Sequence, residues 1–165
     1  MGRLAWTAAN IDKAKALYEE GLRYARGLGD KSMIEILSHN LGVVARAQGE
    51  TELARSLQLV CLKILRELDD QQGIGFTLSE LINLAAAQDD PLMAAQFAGA
   101  AQHQWEVIGA SFLQETDQKE VDATLEKVRG LLSEDVYSEA VSRGKGLTLV
   151  QVQEWLEKME RDDAL

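Results

Sequence analysis

The segment DKAKALY at residues 12–18 decides the fold, because its pattern returns twice at a constant interval along the chain. It reappears as ELARSLQ at residues 52–58 and as LMAAQFA at residues 92–98. The intervening stretch keeps the same offset and pairs, for example, Ile34 with Ile74. A fixed period of roughly 20 to 50 residues indicates stacked supersecondary units, since one such unit is too small to bury its apolar face alone.

Apolar residues at spacings of three and four predict an amphipathic helix in each half of the repeat. Gly29-Asp30 and Gly49 are expected helix ends, while Asp90 and Pro91 suit an N-cap and a first helical position. The turns are only a few residues long, so neighbouring helices must pack antiparallel. The predicted helices span residues 11–28, 31–48, 51–68, 72–88 and 91–108.

Small residues indicate where these helices make close contact. Gly42, Ala54 and Cys61 have the same spacing as Gly2, Ala14 and Gly21, which lie one period earlier. A large side chain at such positions would hold two helices apart. The lone Cys61 has no cysteine partner for an internal disulfide, so a small core residue is favoured over a nucleophile.

The small-residue pattern resembles a tetratricopeptide repeat. Leu41-Gly42, Ala45, Ala54 and Cys61 match positions of that family's motif, and Tyr18 stands at its aromatic site. The resemblance implies an all-α fold, a right-handed solenoid of antiparallel helix pairs. The third unit departs from the motif because Ile82 replaces the glycine, and the period of 40 exceeds the usual value of roughly 34. Longer helices and a different superhelical pitch are therefore expected.

A narrower resemblance covers nearly the whole chain. Residues 14–30, 41–50, 98–110 and 131–155 resemble the C-terminal helical-repeat region of bacterial ATPase transcriptional regulators of the LuxR-like and AfsR-like kind. The resemblance implies a non-catalytic module of signal transduction and transcription regulation that binds a protein, a peptide or a small effector. Since the sequence contains no Walker motif, cyclase domain or recognition helix, any such chemistry is expected elsewhere.

Two regions are predicted, residues 1–110 with the repeats and residues 111–165 as a C-terminal helical cap. Within the cap, Ser133 precedes a helix expected to stop at Gly144, and Thr148 with Gln151 forms a capping box for a last amphipathic helix. The repeat offset places Met1 in the middle of a helix. The first repeat is therefore expected to be truncated, with an upstream segment missing.

Composition narrows the classes of function. The chain has 165 residues and a formal net charge of -10, which repels nucleic-acid phosphates. No apolar run approaches the roughly 20 residues that cross a bilayer, and no signal peptide is recognisable. A cytoplasmic protein that binds neither nucleic acid nor membranes is predicted.

Catalytic and metal sites are not indicated. The adjacent carboxylates Asp69-Asp70 and Asp89-Asp90 fall in turns, where acidic side chains cap the next helix. His39 and His103 lie on different helices without a metal-binding motif, and Gly144-Lys145-Gly146 lacks the spacing of a phosphate-binding loop. A protein without enzymatic activity or cofactor is predicted.

The tetratricopeptide resemblance implies a binding surface on the concave face of the array, which the first helix of each pair lines in that family. It combines aromatic anchors, amides for an extended peptide backbone and arginines for carboxylates, and Arg46 and Asn83 are expected to be exposed. For each residue a core or solvated position is the alternative, and the basic clamp that holds chaperone C-termini is not reproduced in the third unit. The candidate groove residues are Arg3, Trp6, Ile36, His39, Asn40, Val43, Arg46, Phe76, Ser79 and Asn83.

A structural self-association module is the main alternative function, and an enzyme accessory domain is a weaker one. Truncation of the first repeat would expose Leu4, Trp6, Leu17 and Tyr18. Exposed apolar surfaces recruit partners, so a two-fold homodimer through the N-terminal ends is expected.

Overall fold

The computed structural model describes residues 8–109 and 115–162 of the chain, with side chains described from 10 to 109 and from 117 to 157. The described residues form eight helices and no strand, which confirms the all-α class. The helices are α1 (Ala8–Leu28), α2 (Lys31–Ala47), α3 (Thr51–Leu68), α4 (Gln71–Ala87), α5 (Pro91–Ile108), α6 (Glu115–Leu131), α7 (Glu134–Lys145) and α8 (Leu149–Asp162).

A left-handed residue recurs at regular intervals and ends each of the first five helices. Gly29, Gly49 and Gly109 have positive φ angles, and Asp69 and Asp89 take the same conformation with φ of 53° and 57°. After α1 to α4, the following N–H donates back into the last helical turn, as Asp70 N does to Leu65 O at 3.0 Å. These bonds satisfy carbonyls that a helix end would otherwise leave unpaired. Each sequence repeat therefore consists of two helix-turn units of equal length.

Aspartates begin three of these helices, as predicted for Asp90 and for the acidic pairs in the turns. Asp30, Asp70 and Asp90 each accept a hydrogen bond from the backbone N–H three residues later. This bond satisfies one of the free N–H groups of the first turn, and the carboxylate lies at the positive end of the helix dipole. The acidic turns thus serve helix initiation.

The first five helices pack in chain order, each against the next. A small apolar cluster of Leu22, Leu41 and Leu57 joins α1, α2 and α3. The main core lies around α3, α4 and α5, and residues of α6, α7 and α8 belong to the same cluster. The core therefore continues across the predicted boundary near residue 110.

The predicted close-contact positions are tightly packed. Ala54 and Cys61 are fully buried. A Cβ atom added to Gly42 would lie 2.7 Å from Gln58 Nε2, so that side chain would have to move. These contacts agree with the predicted close approach of α2 and α3 at these positions.

The last three helices fold back along the array. α6 packs against α4 and α5, α7 lies along α5, and α8 contacts α3. The predicted N-cap at Ser133 and the capping box of Thr148 and Gln151 are both present. α7 ends at Lys145, one residue beyond the predicted end at Gly144, and Gly144 is buried against α5.

None of the helices in the described part is long and apolar enough to cross a membrane.

Candidate functional site

The predicted groove residues that the structure describes lie on α2 and α4, which contact each other. Arg3 and Trp6 lie outside the described residues. Four of the remaining eight line an open cleft, two contact α6, one lies in the interface of α4 with α5, and one, Val43, is half-buried outside the cleft. The open cleft is the environment that brings the largest number of the predicted residues together.

The open cleft has a volume of about 450 Å³ and lies between α2, the beginning of α4 and the beginning of α6. Ile36 is 49% exposed, so it presents apolar surface without belonging to the core. Of the predicted groove, Ile36, His39, Asn40 and Phe76 line the cleft. The sequence analysis missed its other lining residues, which are Glu35, Asp70, Gln72, Gly73 and Asp117.

The electrostatics of this cleft are negative. Glu35, Asp70 and Asp117 supply three carboxylates, and no Lys or Arg is among its described lining residues. Burial raises the pKa of Glu35, and the neighbouring charge of Asp70 raises it further. A bound cation would offset both effects, because it favours the ionised carboxylate.

His39 adds a polar group with an unmet hydrogen-bonding capacity. Burial lowers its pKa, although the charge of Asp117 opposes that change, so the imidazole is neutral at pH 7. Its Nδ1 atom is buried and has no hydrogen-bond partner in the structure. A neutral imidazole leaves the negative charge of the cleft uncompensated.

Arg46 does not belong to the open cleft, contrary to the prediction that it is exposed and holds a ligand carboxylate. Its side chain is 14% exposed, and its guanidinium donates to Glu80 from Nε at 2.5 Å and to Glu120 from Nη2 at 2.9 Å. Burial alone would lower the pKa of Arg46, but these two carboxylates outweigh it and raise the pKa. The guanidinium that was expected to bind a ligand instead forms ion pairs with Glu80 of α4 and Glu120 of α6.

Asn83 and Ser79 are also buried by the chain itself, so the predicted exposure of Asn83 was wrong. Asn83 is 6% exposed, and its Oδ1 accepts a hydrogen bond from Thr124 Oγ1 of α6 at 2.8 Å. Ser79 Oγ donates to Gly75 O and accepts from Trp105 Nε1. Val43 is half-buried and does not line the cleft.

The docking of α6 accounts for these differences, and the sequence contained part of the signal for it. Val121, Leu125 and Val128 form a stripe at spacings of four and three, which is typical of an amphipathic helix. The stripe faces the main core, where Val121 and Val128 are buried. That pattern predicts a helix, but it does not specify which surface the helix covers.

Metal binding and thiol reactivity are further chemistries that His, Cys and carboxylate side chains can provide. No group of three or more His, Cys, Asp or Glu residues in the described part is arranged to hold a metal ion. Burial raises the pKa of the Cys61 thiol, and its Sγ donates to Glu35 O at 3.5 Å. A thiol that resists ionisation is a poor nucleophile, which agrees with its predicted place as a small core residue.

Comparisons with protein-family models, with curated proteins and with solved structures gave no match for this chain.

Proposed function

We propose that the chain is a non-catalytic binding module that holds a segment of a partner protein in the cleft between α2, α4 and α6. The observation that carries this proposal is the convergence of Ile36, His39, Asn40 and Phe76 on one open cleft of about 450 Å³. Apolar surface beside a few polar groups is the usual composition of a binding pocket. The small-residue pattern supports assignment of the repeats to a tetratricopeptide-like solenoid.

The parent protein that we propose is a cytoplasmic bacterial transcriptional regulator of the LuxR-like or AfsR-like kind, with this chain as its helical-repeat part. The sequence runs at residues 14–30 and 98–110 support this proposal. In such a protein, a segment bound in the cleft stabilises one packing of the helices and thereby biases an attached domain.

The bound segment carries a Lys or Arg side chain next to an apolar one. Glu35 and Asp117 supply carboxylates for the cation, while Phe76 and Ile36 offer apolar contact. The Asn40 amide suits an extended peptide backbone. This charge preference is opposite to that expected of a groove lined by arginines.

Removal of two carboxylates tests this proposal. We expect Glu35→Gln with Asp117→Asn to weaken binding of a fluorescein-labelled Lys-Leu-containing peptide at least about tenfold, because charge-assisted hydrogen bonds are lost. The melting temperature should change little, since Asp70, the carboxylate of the cleft that caps α4, is left in place. Fluorescence anisotropy at two salt concentrations measures the affinity, with an otherwise identical Glu-Leu peptide as the ligand control.

The matched control variant is Glu19→Gln with Glu20→Gln, which removes the same charge from exposed positions of α1. Equal weakening by both double variants would indicate a non-specific charge effect and would contradict the cleft. Peptide binding should also decrease as the pH falls through the raised pKa of Glu35, because the protonated carboxyl cannot attract a cation.

Self-association is a second candidate function, and an exposed apolar face of α1 favours it. Leu17, Tyr24 and Leu28 are 58%, 68% and 84% exposed and recur at helical spacing. Tyr18 is half-buried against the small apolar cluster, whereas Leu4 and Trp6 lie outside the described residues. The proposed contact is a two-fold homodimer through this face.

Light scattering across a concentration series checks the homodimer. We expect a mass near twice 18.2 kDa for the native chain and a monomer for Leu28→Glu, because a charge would be buried in the contact. Val107→Glu places the same charge on an exposed residue of α5 and should leave the dimer intact. A monomer at all concentrations would contradict the homodimer.

A further inference from the structure

A second cavity lies where α4, α5, α6 and α7 meet. Its volume is about 310 Å³, at the lower end of the range for small-molecule sites. Ala98 and Ala101 of α5 leave this space open because their side chains are short. Its largely apolar walls include Ile82 of α4, Trp105 of α5, Val121 and Leu125 of α6 and Tyr137 of α7.

The aromatic walls of this cavity are held in place. The Trp105 indole donates from Nε1 to Ser79 Oγ at 3.4 Å and packs edge-on against Phe76 with ring centroids 5.5 Å apart. Tyr137 is buried. Because these rings are already oriented, the side chains of the site would lose little conformational freedom when an apolar ligand binds.

Arg129 is the single charged residue among the described lining residues. Its guanidinium carbon lies 4.7 Å from the centre of the Tyr137 ring, which orients the group by a cation–π contact. Other cations of this region are paired with carboxylates, Arg143 with Glu139 and Lys145 with Glu106. Arg129 is exposed and the structure gives it no ion pair with a described carboxylate, so its N–H donors can meet a ligand at the mouth of the cavity.

We infer that this cavity binds a small monocarboxylate with an apolar body. The guanidinium of Arg129 matches a carboxylate geometrically and can donate two parallel hydrogen bonds to it. The aliphatic and aromatic walls contact the remainder of the ligand. The site is distinct from the proposed peptide cleft, which it adjoins through the contact of Trp105 with Phe76. It joins the repeat helices α4 and α5 to the C-terminal helices α6 and α7 through one ligand.

Calorimetric titration of the complete chain with octanoate and 3-phenylpropanoate tests the site. Each acid is compared with its matched alcohol, which has the same apolar body but no charge. We expect at least one acid to bind at least about tenfold more tightly than its alcohol, since only the acid pairs with Arg129. Acetate and inorganic phosphate should bind much more weakly, because they lack the apolar body.

Two variants distinguish the contribution of the Arg129 charge to ligand binding from that of the open cavity space. Arg129→Met keeps an apolar side chain and should reduce acid binding about tenfold without changing alcohol binding, whereas Ala98→Leu fills the cavity and should abolish both. Arg143→Met, on the exposed face of α7, is the matched control and should bind like the native chain. A melting curve verifies that each variant is folded. The inference is overturned if neither acid binds, if Arg129→Met binds acids as tightly as the native chain, or if phosphate binds as tightly as the acids.

Discussion

Replacement of Gly144 by valine is expected to lower the free energy of unfolding by more than about 3 kcal/mol, or to prevent folding, because α5 and α7 cross with their backbones in direct contact. A Cβ atom at Gly144 would overlap the carbonyl group of Gln96, and one at Gly99 would overlap the carbonyl oxygen of Val141. A backbone cannot move aside as a flexible side chain can. Overpacking at side-chain contacts costs roughly 1 to 3 kcal/mol, and the loss here should exceed that range.

Urea denaturation followed by far-UV circular dichroism measures this loss. The matched control is Gly130→Ala on α6, where an added Cβ meets no atom within 4 Å. It should leave the chain as stable or stabilise it by roughly 0.5 to 1 kcal/mol, since alanine favours a helix over glycine. A Gly144→Val variant as stable as the native chain would show that α5 and α7 do not cross at this point.

The elements that were predicted correctly depend on neighbouring residues in the sequence. Helix boundaries of the first five helices follow from apolar spacing and from turn residues such as Asp30 and Asp90, whose effects extend over one helical turn. The capping box of Thr148 and Gln151 is likewise local. Such features are encoded within a few residues, so the sequence alone was sufficient to predict these helix boundaries and caps.

The predictions that failed depend on contacts between distant parts of the chain. Gly144 lies one residue from the end of α7, close to the predicted helix end, but its contact with the backbone of α5 was not predicted. The exposure of Arg46 and Asn83 was inferred without knowledge of where α6 docks. The sequence does not show whether a polar side chain contacts water, a ligand or a helix from a distant part of the chain, as Arg46 and Asn83 do.

The candidate site was therefore predicted in part. The groove positions on α2 and α4 follow from the repeat register, and four of them share the cleft. Asp117 of α6 belongs to another region of the chain, and Asp70 was expected only to cap a helix. Because these residues give the cleft its negative charge, the charge of the ligand that we propose could be inferred only from the structure.

Substitution of Arg46 by alanine has the second large expected effect, a loss of roughly 3 to 5 kcal/mol at pH 8. The Glu80 carboxylate, whose side chain is 9% exposed, would remain buried without its cation, and uncompensated buried charges have costs of this size. Glu120 would lose the same partner at the surface of α6. The substitution Arg143→Ala removes an exposed ion pair and should cost less than about 0.5 kcal/mol.

Acidification should partly restore the stability of Arg46→Ala, and this dependence identifies Glu80 as the cause. Burial already raises the pKa of Glu80 in the native chain, against the opposing influence of Arg46, so loss of the arginine raises the pKa further. Between the unfolded and folded pKa values the folded state binds more protons, so stability falls as the pH rises through this range.

Urea denaturation at several pH values should therefore show the variant approaching the native chain near pH 5. Adding Glu80→Gln to Arg46→Ala should recover much of the free energy of unfolding lost at pH 8. It should also flatten the dependence of stability on pH, because the buried charge is gone. If the single and double variants instead unfold alike at every pH, the loss arises from packing of the arginine side chain and the buried pair does not couple α6 to the repeats.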